Sequence, residues 1–295
     1  MINADYHVHS DYSSDGTAPP EQMIKQAIRL GLKRICFTDH MDYDYPQVSD
    51  YSFVFGMEDY QEELRSLREQ YSSQISILTG VELGLQPHIT DRMNSLVQNC
   101  PLDFVIGSTH VVDRVDPYYP EYWEGISQEE GIRRYFQAIL DNVRSFDGFH
   151  VCGHIDYIIR YTPTTMAHKS YLRADMSVPE NKLRQAEAYA EIYSLYRYET
   201  YAELLDEVLQ VLLSKGKGIE VNTSGLRHGL KYAHPRTEIL KRYKELGGEL
   251  ITIGSDAHSP EYLGFGFRQT SELLKSLGYR YYAVFQQGKP VMELL

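Results

Sequence analysis

Six apolar segments of this 295-residue chain end in histidine, aspartate or glutamate. They read DYHVHS, CFTDH, LTGVE, IGSTH, VCGH and ITIGSDAH. These side chains bind divalent cations through nitrogen and oxygen, and they also transfer protons during hydrolysis. A single polar residue after a strand is usually a helix cap, but six of the eleven histidines share this position. Capping alone does not explain so consistent a placement, which indicates a metal site.

The spacing within these segments brings ligands together in pairs. His7 and His9 are two residues apart, and so are Asp256 and His258. Side chains two apart on a strand point to the same side and can share one cation. Glu82 ends another segment, and its two oxygens can bridge ions that lie about 3.5 to 4 Å apart, as in two-metal hydrolases. The remaining predicted ligands of this shell are His40, His110 and His154.

The types of ligand narrow the choice of metal. Imidazole and carboxylate without thiolate favour zinc, manganese or iron over calcium and argue against a structural zinc. The three cysteines form no C-x-x-C pair, and two of them lie inside apolar runs. This is typical of buried free thiols in a reducing compartment.

Short apolar runs alternate with longer amphipathic segments along the chain. The apolar runs predict strands over Ala4–Val8, Arg34–Thr38, Ile75–Val81, Asp103–Ser108, Phe149–Cys152, Gly218–Val221 and Leu250–Gly254, with a possible eighth over Arg280–Phe285. The amphipathic segments predict helices over Pro19–Leu30, Met57–Tyr71, Ser127–Val143 and His234–Leu246. Such alternation implies parallel pairing. We therefore expect an α/β fold, a distorted (β/α)7-type TIM-like barrel, as one domain over residues 1–295. Its strands would all present their C-terminal ends, and the ligands, on one face.

Three further segments carry structural expectations. The helical stretch Glu180–Leu213 is too long for one typical helix, so we expect a break around Ser194–Glu199. Two long connections, Val111–Gly125 and Ile155–Pro179, directly follow strands and are rich in Tyr, Pro and Asp. We expect both to lie over the catalytic face as lids.

Composition excludes several classes of partner. The formal net charge is -12, and the basic residues form no runs, which argues against a nucleic-acid-binding surface. No apolar stretch is long enough for a membrane span, and the N-terminus lacks the features of a signal peptide. We therefore expect a cytoplasmic protein that binds neither nucleic acid nor membrane.

Four motifs resemble the polymerase and histidinol phosphatase (PHP) family. They are HVHSDYSSDG at residues 7–16, TDH at 38–40, GSTH at 107–110 and GSDAH at 254–258, with GVE at 80–82 and GHID at 153–156 in the order that the family shows. The resemblance spans the whole chain. The segment EVNTSGLR at residues 220–227 and the chain length resemble the histidinol-phosphatase branch.

This resemblance implies a centre of three divalent ions. The implied ligands are His7, His9, Glu82 and Asp256 for the first ion, Glu82, His110 and His154 for the second, and Asp15, His40 and His258 for the third. Some members of the family carry histidine where Asp15 stands, so the third site should be more accepting of manganese or iron. Asp11 is an alternative ligand in the same loop.

The implied activity is hydrolysis of L-histidinol phosphate to L-histidinol and phosphate by a metal-bridging hydroxide, in histidine biosynthesis. Three divalent cations and three ligand carboxylates give the pocket a charge of roughly +3, which favours a phosphate dianion. Metal ions can lower the pKa of a bridging water to about 7. The alternatives are a PHP phosphoesterase that acts on another mono- or diester, including nucleotides, and a metal-binding module without turnover.

Other residues are candidates for substrate binding and proton transfer. Arg160 and Arg197 are expected to bind the phosphate, with His228 as a further substrate-binding residue, although a surface ion pair explains either arginine equally well. Asp256 or His258 is the candidate acid for the leaving group. Asp39, Asp113 and Asp156 are expected to orient imidazoles or to cap helices.

Overall fold

The computed structural model describes residues 2–46, 52–175 and 177–295. Its strands are β1 Ala4–Val8, β2 Arg34–Phe37, β3 His40–Met41, β4 Ser76–Gly84, β5 Phe104–Ser108, β6 Val151–Cys152, β7 Gly218–Asn222, β8 Ile251–Gly254, β9 Tyr281–Gln286 and β10 Lys289–Leu294. Its α-helices are α1 Pro20–Arg29, α2 Met57–Gln70, α3 Thr90–Asn99, α4 Gln128–Ser145, α5 Pro163–Leu172, α6 Pro179–Leu195, α7 Tyr198–Ser214, α8 Ser224–Arg227, α9 Thr237–Glu245 and α10 Phe267–Ser276. The predicted strands and helices are all present, with ends that differ by a few residues.

Seven parallel strands form a nearly closed barrel in the order β1, β2, β4, β5, β6, β7, β8. Backbone bonds from His9 N to Ala257 O (2.9 Å) and from Asp256 N to His7 O (2.8 Å) join the C-terminal end of β1 to the segment after β8. The strands are buried almost throughout, as expected for a parallel sheet covered by helices. The prediction of a distorted (β/α)7-type barrel is confirmed.

The possible eighth strand over Arg280–Phe285 is present as β9, but it lies outside the barrel. Among the described residues β9 pairs with β10 alone, in an antiparallel hairpin closed by Gln287 and Gly288, both with positive φ. An apolar run alone does not distinguish a barrel strand from a hairpin that packs against the barrel. The Tyr6 hydroxyl donates to Phe285 O at 2.7 Å and accepts from Phe285 N at 2.9 Å. The ring of Phe285 packs against Phe104, at the start of β5, so the hairpin covers the end of the barrel opposite the predicted ligands.

The predicted helix break is confirmed, because α6 ends at Leu195 and α7 begins at Tyr198. Between them the buried ring of Tyr196 packs in the core, and its carbonyl accepts from Arg236 rather than from the next helical turn. The Tyr196 hydroxyl donates to Asp156 at 3.0 Å. The break is therefore fixed by tertiary hydrogen bonds.

The two predicted lid segments follow β5 and β6. Val111–Gly125 contains a short 3-10 helix at Pro120–Trp123, and Ile155–Pro179 contains another at Tyr157–Tyr161 followed by α5. Met176, within the second segment, lies outside the described residues. Among the helices described, none combines the length and the apolar character that a membrane span requires.

We predict that Tyr6→Phe destabilises the fold. The substitution leaves the buried backbone N–H and C=O of Phe285 without their partner, which costs about 1 to 3 kcal/mol of unfolding free energy. Urea unfolding followed by circular dichroism measures this loss. Tyr281→Phe, at an exposed position on the same hairpin, is the matched control. Equal stability of the two variants would show that the hairpin is not held through Tyr6.

Candidate metal centre

The backbone brings Glu82 to the centre of the predicted ligands. β4 continues to Gly84, so Glu82 lies inside the strand rather than at its end. The short strand β3 pairs His40 with Glu82, and β5 pairs Ile106 with the same residue from the other side. The Glu82 carboxylate is buried and faces imidazoles on both of its oxygens.

Oxygen Oε2 of Glu82 faces the ligands predicted for the first ion. It lies 3.1 Å from Nε2 of His7 and 3.4 Å from Nε2 of His9. Oδ1 of Asp256 lies 3.7 Å from the same nitrogen of His7 and 3.5 Å from that of His9. Ligand atoms of His7, His9 and Asp256 all lie within 4.8 Å of one another. One cation fits between these atoms.

Oxygen Oε1 of Glu82 faces the ligands predicted for the second ion. It lies 3.2 Å from Nε2 of His110 and 2.8 Å from Nε2 of His154. It also accepts a hydrogen bond from Ser108 Oγ at 2.7 Å. The two oxygens of Glu82 thus face different groups of imidazoles, which is the geometry of a bridging carboxylate.

The ligands predicted for the third ion lie at the open side of the cluster. Oδ2 of Asp15 lies 3.2 Å from Nε2 of His258 and 3.9 Å from Nε2 of His40. His9 joins His40 and His258 in a group whose ligand atoms lie within 4.8 Å of one another, which the sequence did not suggest. Asp11 is exposed.

The donor atoms fit bound cations. Buried ligand atoms that lack a hydrogen-bond partner in the described structure include Nε2 of His7, Nε2 of His9, Nδ1 of His40 and Oε2 of Glu82. Burial raises the pKa of Glu82, but the neighbouring His7, His110 and His40 hold it well below its usual range. A buried carboxylate that stays ionised among imidazole lone pairs is a typical metal ligand.

Two further carboxylates contact the Nδ1 atoms of His110 and His7, whose Nε2 atoms face Glu82. Oδ1 of Asp42 lies 2.9 Å from Nδ1 of His110, and Oε1 of Glu220 lies 2.5 Å from Nδ1 of His7. A carboxylate on one ring nitrogen leaves the other nitrogen free for a metal. Asp42 could have been found from its place two residues after His40. Glu220 could have been found as a charged residue inside the buried strand β7.

The three aspartates expected to orient imidazoles behave differently. Asp39 accepts from Ser13 Oγ at 2.9 Å, and Ser13 Oγ lies 3.0 Å from Nδ1 of His9, so Asp39 acts on a predicted ligand through Ser13. Asp156 lies 2.6 Å from Nδ1 of His234, which is not among the predicted ligands. Asp113 is exposed and has positive φ, as in a turn.

A cleft of about 940 Å³ opens above the cluster. Both predicted lid segments line it. Its basic wall contains Arg160, which is buried, donates to Ser224 Oγ at 3.2 Å and lies 3.7 Å from Oδ2 of Asp256. Arg227 donates to Asp256 O at 2.9 Å, and Arg173 lies 2.6 Å from Nδ1 of His228. The basic wall is therefore next to the predicted ligands.

The structure does not bring Arg197 to this cleft. Arg197 precedes α7, its side chain is exposed, and it is absent from the described cleft lining. The helix break occurs where it was predicted, but the residue that turns inward there is Tyr196. The structure therefore does not place Arg197, which was expected to bind the phosphate, beside the predicted ligands. Arg173 takes a place on the cleft wall that no motif predicted.

Sequence comparison identifies the family. The PHP domain family matches residues 5–224, which is more than half of the chain. The chain belongs to the PHP domain family. A histidinol-phosphatase of Lactococcus lactis subsp. lactis is 30% identical to this PHP protein and covers 98% of this chain and 96% of the relative. A probable histidinol-phosphatase of Clostridium acetobutylicum is 29% identical, covering 92% of each chain.

Structural comparison agrees with the family. The crystal structure of the Lactococcus lactis histidinol phosphate phosphatase, complexed with zinc, L-histidinol and phosphate, has a TM-score of 0.81 to this PHP protein at 28% identity. It covers 99% of this chain and 100% of that chain. A putative histidinol phosphatase from Listeria monocytogenes has a TM-score of 0.70 at 18% identity and shows the same fold.

We predict that zinc or manganese stabilises this protein through Glu82. A ligand at about 100 times its Kd stabilises the folded state by about 2.7 kcal/mol, so calorimetry should show a higher Tm with metal than with a chelator. Glu82→Ala should remove most of this difference, because it removes the residue between the two groups of imidazoles. His88→Ala, at an exposed pair with Asp44, is the control and should keep it. A wild-type Tm that does not respond to metal would refute the assignment.

Proposed function

We propose that this protein is a metal-dependent phosphomonoesterase that hydrolyses L-histidinol phosphate to L-histidinol and phosphate, a step of histidine biosynthesis. The observation that carries the proposal is Glu82, held between two groups of imidazoles beside a wall of arginines. The names of the similar proteins, and the zinc, L-histidinol and phosphate in one of them, support the same substrate. Residues 1–295 would act as a single PHP-type unit. Its three cysteines are free and two of them are buried, which suits a cytoplasmic location.

Three divalent ions, zinc, manganese or iron, would occupy the cluster. When bound, such ions neutralise phosphoryl charge and activate water for direct hydrolysis. Glu220 and Asp42 would fix the tautomers of His7 and His110 in this cluster. The proposed ligands are His7, His9, Asp15, His40, Glu82, His110, His154, Asp256 and His258.

Asp256 and His258 act in this proposal as ligands more than as acids. Burial raises the pKa of Asp256, but His7, His9 and His258 hold it well below its usual range. An ionised carboxylate cannot give a proton to the leaving alkoxide. Nδ1 of His258 lies 3.1 Å from the carbonyl oxygen of Asp256, which leaves Nε2 free to face Asp15. This geometry favours the ligand role for both residues.

Arg160 and Arg227 are the proposed phosphate-binding residues. Nε of Arg160 and Nη1 of Arg227 are buried without a hydrogen-bond partner in the described structure. The pKa of Arg227 is lowered by burial and by the nearby charges of Arg160 and Arg173, despite the opposing effect of Asp256. A dianion placed among these guanidinium groups would relieve their mutual repulsion and accept their free donors. In a chain of net charge -12 this local excess of positive charge selects a phosphate ester.

His228 would bind the substrate as a neutral imidazole. Burial and the neighbouring Arg160, Arg227 and Arg173 lower its pKa far below the usual value. Its Nδ1 lies 2.6 Å from Arg173, at the end of α5, and Nδ1 therefore accepts from the guanidinium. The other nitrogen then carries a proton that it can donate to a substrate oxygen.

The part of the cleft near Asp116 suits the cationic end of the substrate. Asp116 is buried and lies on the cleft lining with Tyr45 and Tyr118. It accepts from the Tyr45 hydroxyl at 2.6 Å and from Tyr118 N at 2.7 Å. An amine or imidazole group of the substrate can pair with such a carboxylate against aromatic rings.

We predict that the metal-loaded protein releases phosphate from L-histidinol phosphate and loses this activity on chelation. His110→Ala should abolish turnover with little change in far-UV circular dichroism, because it removes one ligand beside Glu82. His168→Ala, at a partly exposed pair with Glu191, is the control. A loaded enzyme that leaves L-histidinol phosphate intact but cleaves nucleotides or other esters would refute the substrate and retain the metal site.

We predict that Arg160→Met and Arg227→Met each lower kcat/KM for L-histidinol phosphate by about 100-fold, by removing a donor to the phosphoryl group. Steady-state phosphate release measures the loss. Arg197→Met, the same change at an exposed arginine outside the described cleft lining, should stay near wild type. If Arg197→Met is as impaired as the other two, the assignment of the basic wall is wrong.

A further inference from the structure

The segment EVNTSGLR places Glu220, Asn222 and Ser224 at every second position along the chain. Glu220 and Asn222 lie on β7, and Ser224 follows at the start of α8. All three are almost completely buried, and none of them belongs to the described cleft lining. Residues two apart on a strand point to one side. Their side chains contact one another and the residues around them, but not the cleft.

Glu220 contacts ligands of two different proposed ions. Its Oε1 lies 2.5 Å from Nδ1 of His7, and its Oε2 accepts from the backbone N–H of His154 at 2.9 Å. The first contact keeps a proton on Nδ1 of His7, so that Nε2 presents a lone pair towards Glu82. The second fixes the backbone from which His154 extends.

Asn222 and Ser224 continue this contact towards the basic wall. Asn222 Nδ2 donates to Glu220 Oε2 at 3.3 Å, and Asn222 Oδ1 accepts from Ser224 N at 3.0 Å. Ser224 Oγ lies 3.1 Å from Oδ2 of Asp256 and accepts from Nη1 of Arg160 at 3.2 Å. A continuous set of hydrogen bonds thus runs from His7 to Arg160.

Strand β8 packs closely against the contact between Glu220 and His7. A Cβ atom at Gly254 would lie 2.3 Å from Cβ of His7 and 2.8 Å from Oε1 of Glu220. Only glycine allows β8 to approach both side chains at this point. The contact between Glu220 and His7 is therefore enclosed on the side of β8 as well.

We propose that Glu220, Asn222 and Ser224 are positioning residues that couple metal binding to phosphate binding. Glu220 orients His7 and the backbone of His154. Ser224 contacts both Asp256 and Arg160 and thereby sets the position of one side chain relative to the other. Asn222 connects Glu220 to Ser224 through its side-chain amide. The inference rests on the proposed phosphatase function for the role of Arg160, but the contacts with the metal ligands are independent of the substrate.

The test compares metal binding and phosphate binding in matched variants. Zinc affinity is measured by equilibrium dialysis against metal buffers, and inorganic phosphate is measured as an inhibitor of p-nitrophenyl phosphate hydrolysis at saturating zinc. Glu220→Gln should bind zinc about 10- to 100-fold more weakly, the range found when a partner of a ligand histidine is lost. Ser224→Ala should raise the inhibition constant of phosphate about tenfold, since Arg160 loses its anchor. It should weaken zinc binding less than Glu220→Gln does, because Ser224 contacts Oδ2 of Asp256 whereas Oδ1 faces His7 and His9. Asn222→Ala should weaken both.

Thr252→Val on the neighbouring strand β8 is the matched control. Its buried hydroxyl has no hydrogen-bond partner in the described structure, so both affinities should stay at wild-type values. Glu220→Asp, which keeps the charge but withdraws it from His7, is a second variant if Glu220→Gln does not fold. It should also lose zinc affinity.

If the three residues served folding alone, each substitution would lower the Tm of the metal-free protein. Zinc affinity and phosphate affinity would then change together in all variants. The proposal is overturned if Ser224→Ala leaves phosphate inhibition unchanged or if both Glu220 variants bind zinc like the control. A wild-type protein that does not hydrolyse L-histidinol phosphate, but shows the predicted pattern with zinc and inorganic phosphate, would refute the substrate and support the coupling.

Discussion

The burial of the Glu82 carboxylate among five imidazoles is the constraint on which the rest of the structure depends. An ionised carboxylate removed from water is costly unless opposite charge or hydrogen bonds compensate it. Within the described structure Ser108 supplies a hydrogen bond to one oxygen, and the other oxygen has no hydrogen-bond partner. Divalent cations placed between Glu82 and the imidazoles would compensate this charge, and the imidazoles would then serve as neutral ligands.

The barrel makes this arrangement possible because its parallel strands end on one face. Backbone hydrogen bonds between the end of β1 and the segment after β8 bring two pairs of predicted ligands close together, and β3 adds His40 beside Glu82. Carboxylates that contact one ring nitrogen of a predicted ligand then determine that the other ring nitrogen faces Glu82. Asp42 and Glu220 do this for His110 and His7. The same strand ends carry the backbone from which Arg160 and Arg227 reach the cleft.

The sequence predicted the parts of this structure that depend on local periodicity. Seven barrel strands follow from apolar runs, and the break between α6 and α7 follows from an overlong helical segment. The predicted ligands lie together because every one of them lies near, or after, the C-terminal end of a parallel strand. The prediction that these ligands lie together followed from the common direction of the strands.

The sequence could not predict features that depend on tertiary contacts. Arg197 lies at the predicted break, but a single helix position does not tell which of two adjacent side chains turns inward, and Tyr196 does. The run at β9 looks like a barrel strand, yet Gln287 and Gly288 turn it into a hairpin. Glu220 and Asp42 could have been found as candidates from their positions, but the imidazoles that they contact, His7 and His110, are distant in the chain and could not be assigned to them.

Anomalous X-ray diffraction at the zinc absorption edge, from crystals of the zinc-loaded protein, tests the central claim most directly. We predict anomalous peaks on both sides of the Glu82 carboxylate, each about 2.0 to 2.2 Å from one of its oxygens. Peaks confined to other residues, or a Glu82 carboxylate without a neighbouring ion, would contradict the assignment of this residue as the bridge.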